Sequence, residues 1–381
     1  MTAVYLDNNA SAPMRPEALA AMIAVLAEVG NPSSIHAAGR KARARVETAR
    51  AQVAALVGVS AQDVTFTGSG TEANALGIHS AIAAGARHLI VNPTEHASVL
   101  ETVRGTGLPV GWLEVESDGQ CGADQIGEWL QAGIRRGEGP ALVVIQVANS
   151  ETGVVQDFPL IAQVCKRFGA WLHVDAAQAV GKFEMTTRFI GGDTWALSAH
   201  KLGGPQGVGA LINVTGRTLA PDVRGGGQER GLRAGTENVA AIVGFGAAAE
   251  AAARDFDAIA RQQPWRDAAA ARLEAEGAEI SAPGAWVLPH VLSAAVTDWP
   301  SDMQVMALDL AGVMVSAGSA CSSGKVKRSP VLEAMGQHDL AGGVVRASGG
   351  WATTQDDWVR FADAWVQAYG AYRARRQERA A

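Results

Sequence analysis

The stretch ALVVIQVANSETGVVQDFPLIAQVCKRFGAWLHVD, residues 141–175, decides the fold class. It contains two short apolar runs, Ala141–Val147 and Ala170–Asp175, on either side of a helical pattern over Pro159–Phe168. The first run is apolar at both odd and even positions, as expected for a strand that helices cover on both faces. This order predicts two parallel strands that are joined by a crossover helix.

The same alternation of short apolar runs and helical patterns extends outward from this stretch. The further predicted strands are Val64–Thr67, His88–Asn92, Val110–Val115, Thr194–Ser198 and Gly209–Val214. The further predicted helices are Gly39–Val57, Thr71–Ala84, His96–Val103 and Ala123–Ile134. The pattern predicts an α/β fold with a mostly parallel sheet between two layers of helices.

The composition changes after Val239, where an Ala-rich helical region begins and runs to Ala275. The remaining chain mixes strands and helices without the regular alternation. Its predicted elements are strands at Val287–Val296, Gly312–Ser316 and Val344–Ser348, a helix at Ser301–Ala311 and a final helix from Thr354. We expect a second, smaller α+β domain that a long helix beginning near Asn238 connects to the first.

Composition excludes several classes of protein. Residues of the hydrophobic set make up 48% of the 381 residues and charged residues 18%, which excludes a disordered chain. The 32 basic and 38 acidic residues leave a net charge of −6, so direct nucleic-acid binding is not expected. The amino terminus does not resemble a signal peptide and no apolar run is long enough to span a membrane, so we expect a cytoplasmic enzyme.

The cysteines Cys121, Cys165 and Cys321 lie far apart in the sequence. None belongs to a CxxC pair, which argues against a disulfide framework and against a cysteine-based zinc site. We therefore predict no metal site from the cysteine pattern.

A predicted strand ends on Asp175, and ligands of open α/β sheets bind beyond the carboxyl ends of strands. The alternative role for Asp175 is to cap the next helix.

Another strand ends at Ser198 and is followed by His200 and Lys201 in a glycine-rich turn. Partial burial in such a turn lowers the pKa of a lysine amine and makes it a nucleophile that can form a Schiff base. The alternative is an exposed lysine on a turn.

The segment FTGSGTEAN, residues 66–74, runs from a strand through Gly68-Ser69-Gly70-Thr71 into a helix. Backbone N–H groups at a helix amino terminus favour a phosphate, whereas the plainer interpretation is a helix cap at Thr71. The combination of a phosphate cradle, an acid at a strand end and a lysine in a turn meets the requirements of pyridoxal phosphate. His96, at another strand–helix junction, provides an imidazole that could stack on a planar cofactor.

The motifs of this chain resemble those of cysteine desulfurases of the NifS/IscS-like group, within the class V aminotransferase family. The matching motifs run in family order from residue 5 to Thr354. They are YLDNNASAP (5–13), GNPSSIHAAGRKAR (30–43), FTGSGTEAN (66–74), EHASVL (95–100), ETGVVQD (151–157), HVDAAQAVGK (173–182), SAHKLGGPQGVGAL (198–211), GGGQERGLRAGTENV (225–239), SAGSACSS (316–323) and VRASGG (345–350).

The resemblance implies a fold and a domain division. The fold is that of fold type I pyridoxal-phosphate enzymes, with a mostly parallel seven-stranded sheet in a large domain and a smaller α+β carboxy-terminal domain. The large cofactor-binding domain would span residues 13–256. Residues 1–12 and 257–381 would form the small domain, which carries the catalytic cysteine loop.

The resemblance also implies a role for each matching residue. Lys201 would be the Schiff-base lysine, and His96 would stack on the ring and help to move protons. Asp175 would pair with the pyridine nitrogen, and Gln178 with the ring hydroxyl oxygen.

The phosphate would be held by Gly70, Thr71, Ser198 and His200, and by Thr236 of a neighbouring subunit, which implies a homodimer. Arg346 would bind the substrate carboxylate, because its planar fork matches a carboxylate.

Cys321 lies among small residues in SAGSACSSGKVKRSP, a setting that predicts a mobile loop and disfavours the alternative of a buried core cysteine. The resemblance implies that its thiolate takes the sulfur of L-cysteine as a persulfide, leaving L-alanine. A sulfur-acceptor protein would then receive the sulfur, either an iron–sulfur scaffold or a tRNA-thiolation protein. The sequence leaves open whether Cys321 also serves as a ligand of a cluster shared with such a scaffold.

This chain departs from the family at Asn149-Ser150-Glu151, where relatives usually carry Asn-Asn-Glu. A serine hydroxyl is shorter than an amide, so the usual contact with cofactor and substrate would be lost, bridged by water or taken over by Asn149.

Three alternatives to a desulfurase stay open. They are a lyase for selenocysteine or cysteine sulfinate, another aminotransferase-like enzyme in which Cys321 is incidental, and a weakly active scaffold that binds sulfur-acceptor proteins.

Overall fold

The structure is a computed structural model that describes residues 3–318 and 328–380. It begins with a short strand and two helices that precede the main sheet. These are β1 (Val4–Tyr5), α1 (Pro16–Leu26) and α2 (Ala37–Val57). The two helices pack against a later helix, α8 (Val239–Arg254), so that the amino-terminal segment and the predicted connecting helix form one layer over the sheet.

Strands and helices then alternate through the middle of the chain, as the sequence predicts. The strands are β2 (Val64–Thr67), β3 (His88–Val91), β4 (Val110–Trp112), β5 (Ala141–Gln146), β6 (Trp171–Asp175), β7 (Thr194–Ser198) and β8 (Gly209–Asn213). The helices between them are α3 (Gly70–Ala83), α4 (Ala97–Gly105), α5 (Ala123–Arg136), α6 (Phe158–Phe168) and α7 (Thr187–Ile190). Short 3-10 turns occupy Ala61–Asp63, Ala199–Lys201 and Gln228–Gly231.

These strands form one seven-stranded sheet in the order β2-β8-β7-β6-β5-β3-β4. Neighbouring pairs are parallel except those that include β8, which is antiparallel to both β2 and β7. Every residue of β5, β6 and β7 is buried, because helices cover both faces. The seven-stranded, mostly parallel sheet confirms the α/β fold that the motifs implied.

The remaining chain builds a separate four-stranded sheet. Its helices and strands are α9 (Phe256–Ala260), α10 (Gln263–Ala275), β9 (Glu279–Ile280), β10 (Val291–Ala295), α11 (Ser301–Leu310), β11 (Val313–Met314), β12 (Ser316–Ala317), α12 (Pro330–Ala334), β13 (Val344–Ser348) and α13 (Gln355–Ala380). The order is β12-β13-β10-β9, with all neighbours antiparallel. The strand predicted at Gly312–Ser316 is therefore two strands, because β11 leaves this sheet to pair in parallel with β1.

Each sheet has its own apolar core. Val4 and Leu6 are fully buried in the core of the second sheet together with Trp299 and Trp365, although they open the chain. The division of the chain into residues 13–256 and residues 1–12 with 257–381 stays a prediction. Among residues 3–318 and 328–380, no helix has the length and apolar character that crossing a membrane requires.

The topology places six strand ends at one edge of the large sheet. Because β2 and β7 are each antiparallel to β8, both run in the same direction as β6, β5, β3 and β4. The turns after these strands therefore meet, and residues as distant in sequence as Gly68, Asp175 and Ser198 come together. This edge is where an open α/β sheet binds its ligands.

Candidate active site

A cavity of about 700 Å³ lies at this carboxyl edge of the sheet. Its wall contains ten of the residues that the sequence assigned to the site. They are Gly70, Thr71, His96, Ser150, Asp175, Gln178, Ser198, His200, Lys201 and Arg346. Segments that are as much as 276 residues apart thus line one space.

The turn between β2 and α3 provides the predicted helix amino terminus. Ser69, rather than Thr71, caps the helix by accepting a hydrogen bond from the Glu72 N–H at 3.1 Å. A Cβ atom on Gly70 would lie 3.0 Å from Cβ of Ser198, so glycine lets the end of β7 approach the helix closely. Thr71 is exposed and, as the capping role belongs to Ser69, its side chain is available to a ligand in the cavity.

Asp175 ends β6 and is 7% exposed. Its Oδ1 accepts the Ala177 N–H at 2.9 Å, so the carboxylate does stabilise the following turn. Its Oδ2 accepts from the side-chain amide of Asn74 at 2.9 Å. Both oxygens are thereby held in fixed directions, and the carboxylate lines the cavity as an oriented acceptor.

The amino-terminal segment closes the other side of the cavity around Lys201. The Lys201 Nζ donates to the carbonyl oxygens of Asn9 and Ala10 at 2.6 and 3.0 Å. Gln178 Nε2 donates to the same Asn9 oxygen at 2.9 Å. Residues near the start of the chain therefore hold the Lys201 amine and the Gln178 side-chain amide in place.

Two histidines line the same cavity as the lysine. His96 caps α4, and its Nδ1 accepts from the Ser98 backbone N–H at 3.1 Å. His200 Nδ1 lies 3.2 Å from Ser11 Oγ. Burial, together with the nearby charges of Lys201 and His96, lowers the pKa of His200 to about 4. His200 is therefore neutral at physiological pH and acts at the site as a hydrogen-bonding group rather than a cation.

Arg346 crosses from β13 of the second sheet into the cavity. Its Nη2 contacts Asp7 Oδ1 at 2.5 Å, and its Nη1 donates to the Ser150 carbonyl at 3.0 Å. Its Nε is buried and has no hydrogen-bond partner among the described residues. The guanidinium is thus fixed at the junction of three distant segments and keeps one buried donor unused by these residues.

Glu151 lies beside this arginine at the point where residues 318 and 328–329 approach the cavity. Its Oε2 accepts from Ser329 Oγ at 2.6 Å, and a Cβ atom on Gly318 would lie 2.8 Å from that oxygen. Burial raises the pKa of Glu151 to about 7, although the Ser329 hydrogen bond and the Arg346 charge lower it. No role for this carboxyl was predicted from the sequence.

The cavity fits pyridoxal phosphate on the observations above. The helix amino terminus at Gly70 suits a phosphate, Asp175 is an oriented acceptor for a protonated ring nitrogen, and Lys201 is within the same space. Asn9 Oδ1 and Gln178 Oε1 are buried, line the cavity and have no hydrogen-bond partner among the described residues. Buried polar atoms of this kind indicate a polar occupant.

Some predicted site residues are not in the cavity wall. Asn149 is buried, donates to the Thr94 carbonyl and accepts from the N–H groups of Glu151 and Thr152. Thr236 is exposed and does not line the cavity of its own chain. Their roles toward substrate and toward a neighbouring subunit stay predictions.

The three cysteines differ in what the structure says of them. Cys321 lies outside the described residues. Cys121 and Cys165 are buried, and burial raises the pKa of each thiol to about 12, so neither is a thiolate at neutral pH. Neither of these two cysteines lines the cavity. Among the described residues, no cluster of histidine, cysteine or carboxylate side chains has the arrangement of a metal site.

Three buried polar residues around Asp175 were not predicted from the sequence. Asn74 and His173 lie within quoted motifs, and Glu95 immediately precedes His96. Burial and the Asp175 charge raise the pKa of Glu95 well above its usual value. A signal was present for two of them, because a polar residue inside an otherwise buried helix or strand requires partners.

Comparisons with known proteins agree with this geometry. Residues 4–361 match the family described as aminotransferase class-V. A curated relative from Cereibacter sphaeroides, named cysteine desulfurase, is 40% identical over 88% of this chain and 87% of its own. The X-ray structure of a NifS-like protein from Rickettsia africae is 28% identical with a TM-score of 0.87, covering 97% of this chain and 99% of that one. A structure described as SspA in complex with cysteine is 28% identical with a TM-score of 0.78, covering 91% and 98%.

Proposed function

The chain belongs to the aminotransferase class-V family, and from this premise we propose that it is a pyridoxal-phosphate-dependent cysteine desulfurase. The observation that carries the proposal is that Lys201, Asp175 and Arg346 line one cavity at the carboxyl edge of the sheet. In the reaction, L-cysteine and the Cys321 thiol give L-alanine and a Cys321 persulfide. The carbon–sulfur bond breaks, a sulfur–sulfur bond forms, and no external oxidant or reductant is needed.

Pyridoxal phosphate supplies an electron sink next to the reacting carbon–sulfur bond when it is bound. The residues that would hold it are Asp175 at the ring nitrogen, and the Gly70-Thr71 turn with Ser198 and His200 at the phosphate. The neutral state of His200 supports its role as a donor or acceptor that adds no further charge.

Lys201 supplies the amine that binds the cofactor and then carries a proton during turnover. The Asn9 and Ala10 carbonyls accept from its Nζ and so set the direction of that nitrogen. His96, whose Nδ1 is already an acceptor at the helix cap, can present only Nε2 to the cavity as a donor. These contacts support the predicted proton-handling roles of both residues.

Arg346 would bind the carboxylate of L-cysteine, and its buried Nε is a donor that the described residues leave unused. Ser150 takes part through its backbone carbonyl, which accepts from Arg346 and from Asn9 Nδ2. The substitution of the usual asparagine by serine therefore leaves the position of the guanidinium supported by the main chain.

We further propose L-cysteine as the substrate, since a related structure is described as a complex with cysteine. A homodimer, with Thr236 near the neighbouring cofactor, belongs to the same proposal, as does a cytoplasmic location. The sulfur acceptor would be a protein, and iron–sulfur cluster assembly and tRNA thiolation are both compatible with the site. The role of Cys321 as persulfide carrier rests on its sequence setting.

Alanine formation from L-cysteine under a thiol reductant tests the proposal, with Cys321→Ala compared with wild type. Cys121→Ala is the matched control, because it removes a buried thiol whose pKa is raised to about 12. We expect alanine from wild type and from the control, and none from Cys321→Ala. Equal alanine from all three would remove Cys321 from the reaction and favour selenocysteine or cysteine-sulfinate lyase activity. Turnover that depends on an added keto acid would favour a transaminase.

A further inference from the structure

A buried chain of hydrogen bonds runs beneath the cavity and ends at Asp175. His173 lies two residues earlier on β6, is fully buried, and contacts Thr194 on the neighbouring strand β7. Its Nδ1 is 2.8 Å from Thr194 Oγ1, and its Nε2 is 3.0 Å from Asn74 Oδ1. Asn74, on α3, contacts Asp175 in turn. These hydrogen bonds thus connect the neighbouring strand β7, the helix α3 and the acid at the site.

The direction of every proton in this chain follows from the carboxylate. An ionised Asp175 can only accept, so the group that faces it must be the amide nitrogen of Asn74. The Asn74 oxygen then faces His173 and must accept from Nε2–H. Because His173 is neutral, its Nδ1 has no proton and accepts from the Thr194 hydroxyl. Burial lowers the pKa of His173 to about 4, with the Asp175 charge opposing, which agrees with this neutral tautomer.

The second amide proton of Asn74 carries the chain to the other side of the site. Asn74 Nδ2 also donates to Ser98 Oγ at 3.0 Å. The Ser98 hydroxyl lies 2.8 Å from His96 Nδ1, which already accepts from the Ser98 backbone N–H, so the hydroxyl donates to it as well. A single amide therefore orients both the acid at Asp175 and the ring of His96.

The packing reserves space for this arrangement. Gly77 lies one turn after Asn74 on α3, and a Cβ atom there would be 2.4 Å from the His173 ring. A glycine inside a helix is less stable than alanine, and the close approach of the imidazole is the physical reason for its presence. The neutral imidazole and the amide are both nearly or fully buried.

We propose that Asn74 is a positioning residue for the reaction and that His173 is its buried anchor. Together they fix the direction of the Asp175 carboxylate and, through Ser98, the ring of His96. This inference rests on the proposed function, because it assigns Asp175 to the cofactor. Its chemistry requires a side chain at 173 that donates to Asn74 and accepts from Thr194, which imidazole does and an apolar residue of similar size does not.

The test compares His173→Leu with His173→Gln in the full-length protein. Glutamine keeps one donor and one acceptor, whereas leucine fills the space without either. The readouts are the dissociation constant of pyridoxal phosphate and the pH midpoint of the visible absorption of the bound cofactor. We expect His173→Leu to weaken cofactor binding by about 10- to 100-fold, because the buried Asn74 oxygen and Thr194 hydroxyl lose their partner, and to shift the midpoint. His173→Gln should recover most of both.

The matched control is His88→Leu. His88 is also buried, also packs against a helix glycine, Gly133, and has no hydrogen-bond partner among the described residues. It does not line the cavity, so its replacement should leave both readouts unchanged. Equal effects of leucine and glutamine at 173, or an equal effect of His88→Leu, would overturn the proposal.

Thr194→Val keeps the test valid if His173→Leu does not fold. Valine matches threonine in shape but cannot donate to His173 Nδ1. We expect a weakening of cofactor binding by about 3- to 10-fold, as for loss of one neutral hydrogen bond, and a midpoint shift in the same direction. Unchanged binding and an unchanged midpoint would contradict the proposal. These readouts need no sulfur transfer, so failure of the positioning role and failure of desulfurase activity are separate outcomes.

Discussion

Two walls of the cavity are built in opposite ways. The sheet floor, defined here as Asn74, Ser98, His173 and Asp175, belongs to neighbouring elements of one sheet and its helices. Its single carboxylate accepts a hydrogen bond from Asn74. The neutral side chains of Ser98 and His173 contact Asn74 in turn. The segment junction, defined as Asp7, Ser150, Glu151 and Arg346, joins three remote parts of the chain around one guanidinium.

The difference leads us to expect that the two walls bind different molecules. Neutral donors around one acid give a fixed orientation at low electrostatic cost, which suits a group that stays bound. The junction holds two carboxyl groups against one cation, and its geometry depends on how the two sheets meet. It suits a ligand that enters and leaves. Substitutions on the floor should therefore change cofactor binding, and substitutions at the junction should change substrate binding.

The largest effect is expected from Asp175→Asn on the floor. An asparagine would place an amide nitrogen against the donor Nδ2 of Asn74 or against the Ala177 N–H, and it would remove the charge that faces the cofactor. Loss of one partner of a buried charge pair costs about 3–5 kcal/mol, so turnover or cofactor affinity should fall by at least about 100-fold. Absorption titration with pyridoxal phosphate measures the affinity. A change below tenfold in both turnover and cofactor affinity would show that Asp175 does not pair with the cofactor.

Arg346→Ala should give the largest effect at the junction. It removes the predicted carboxylate partner and leaves Asp7 without its cation, a loss of about 2–5 kcal/mol. We expect kcat/KM for L-cysteine to fall by about 30-fold or more while cofactor affinity changes by less than about threefold. Arg376→Ala is the control, because its pair with Asp298 is exposed and should contribute little. Equal losses of cofactor and substrate affinity would contradict the expectation that the segment junction binds the substrate and the sheet floor binds the cofactor.

Glu151→Gln should change the pH dependence of stability. Below about pH 4.5 the carboxyl is protonated in both the folded and the unfolded chain. As the pH rises through 4.5 toward 7, the unfolded chain ionises first, so the native state loses stability. The pKa of about 7 in place of 4.5 corresponds to about 3 kcal/mol.

A neutral glutamine avoids that loss, so the variant should gain stability relative to wild type as the pH is raised from 5 to 8. Urea unfolding at the two pH values measures the difference. A wild-type and variant difference that is the same at both pH values would show that Glu151 ionises normally.

Ser150→Asn should have the smallest effect. The contacts of Ser150 with Asn9 and Arg346 are made by its carbonyl oxygen, which the substitution keeps. We expect KM for L-cysteine to change by less than about tenfold, or about 1.4 kcal/mol. A larger decrease in KM would mean that the amide adds a direct substrate contact at the junction.

The regular elements of the large sheet were predictable because burial on both faces leaves a strong local pattern. The strand ending at Asp175 and the helix beginning after Asn238 were both predicted with these limits. The edge strand β4 is shorter than predicted, since it ends at Trp112 and not at Val115. The predicted strand at Gly312–Ser316 divides between two sheets. Local pattern does not report on which partner a short strand finds.

The sequence by itself determined the α/β class and the family, and it predicted the site residues that line one cavity. These depend on residue type and on spacing within short motifs, which folding does not alter. Only the tertiary structure decided that Asn74 and His173, 99 residues apart, lie within hydrogen-bond distance, and that Asp7 pairs with Arg346 across 339 positions. The reason is that hydrogen bonds and ion pairs depend on distances of about 3 Å, and such distances arise only when remote segments pack together.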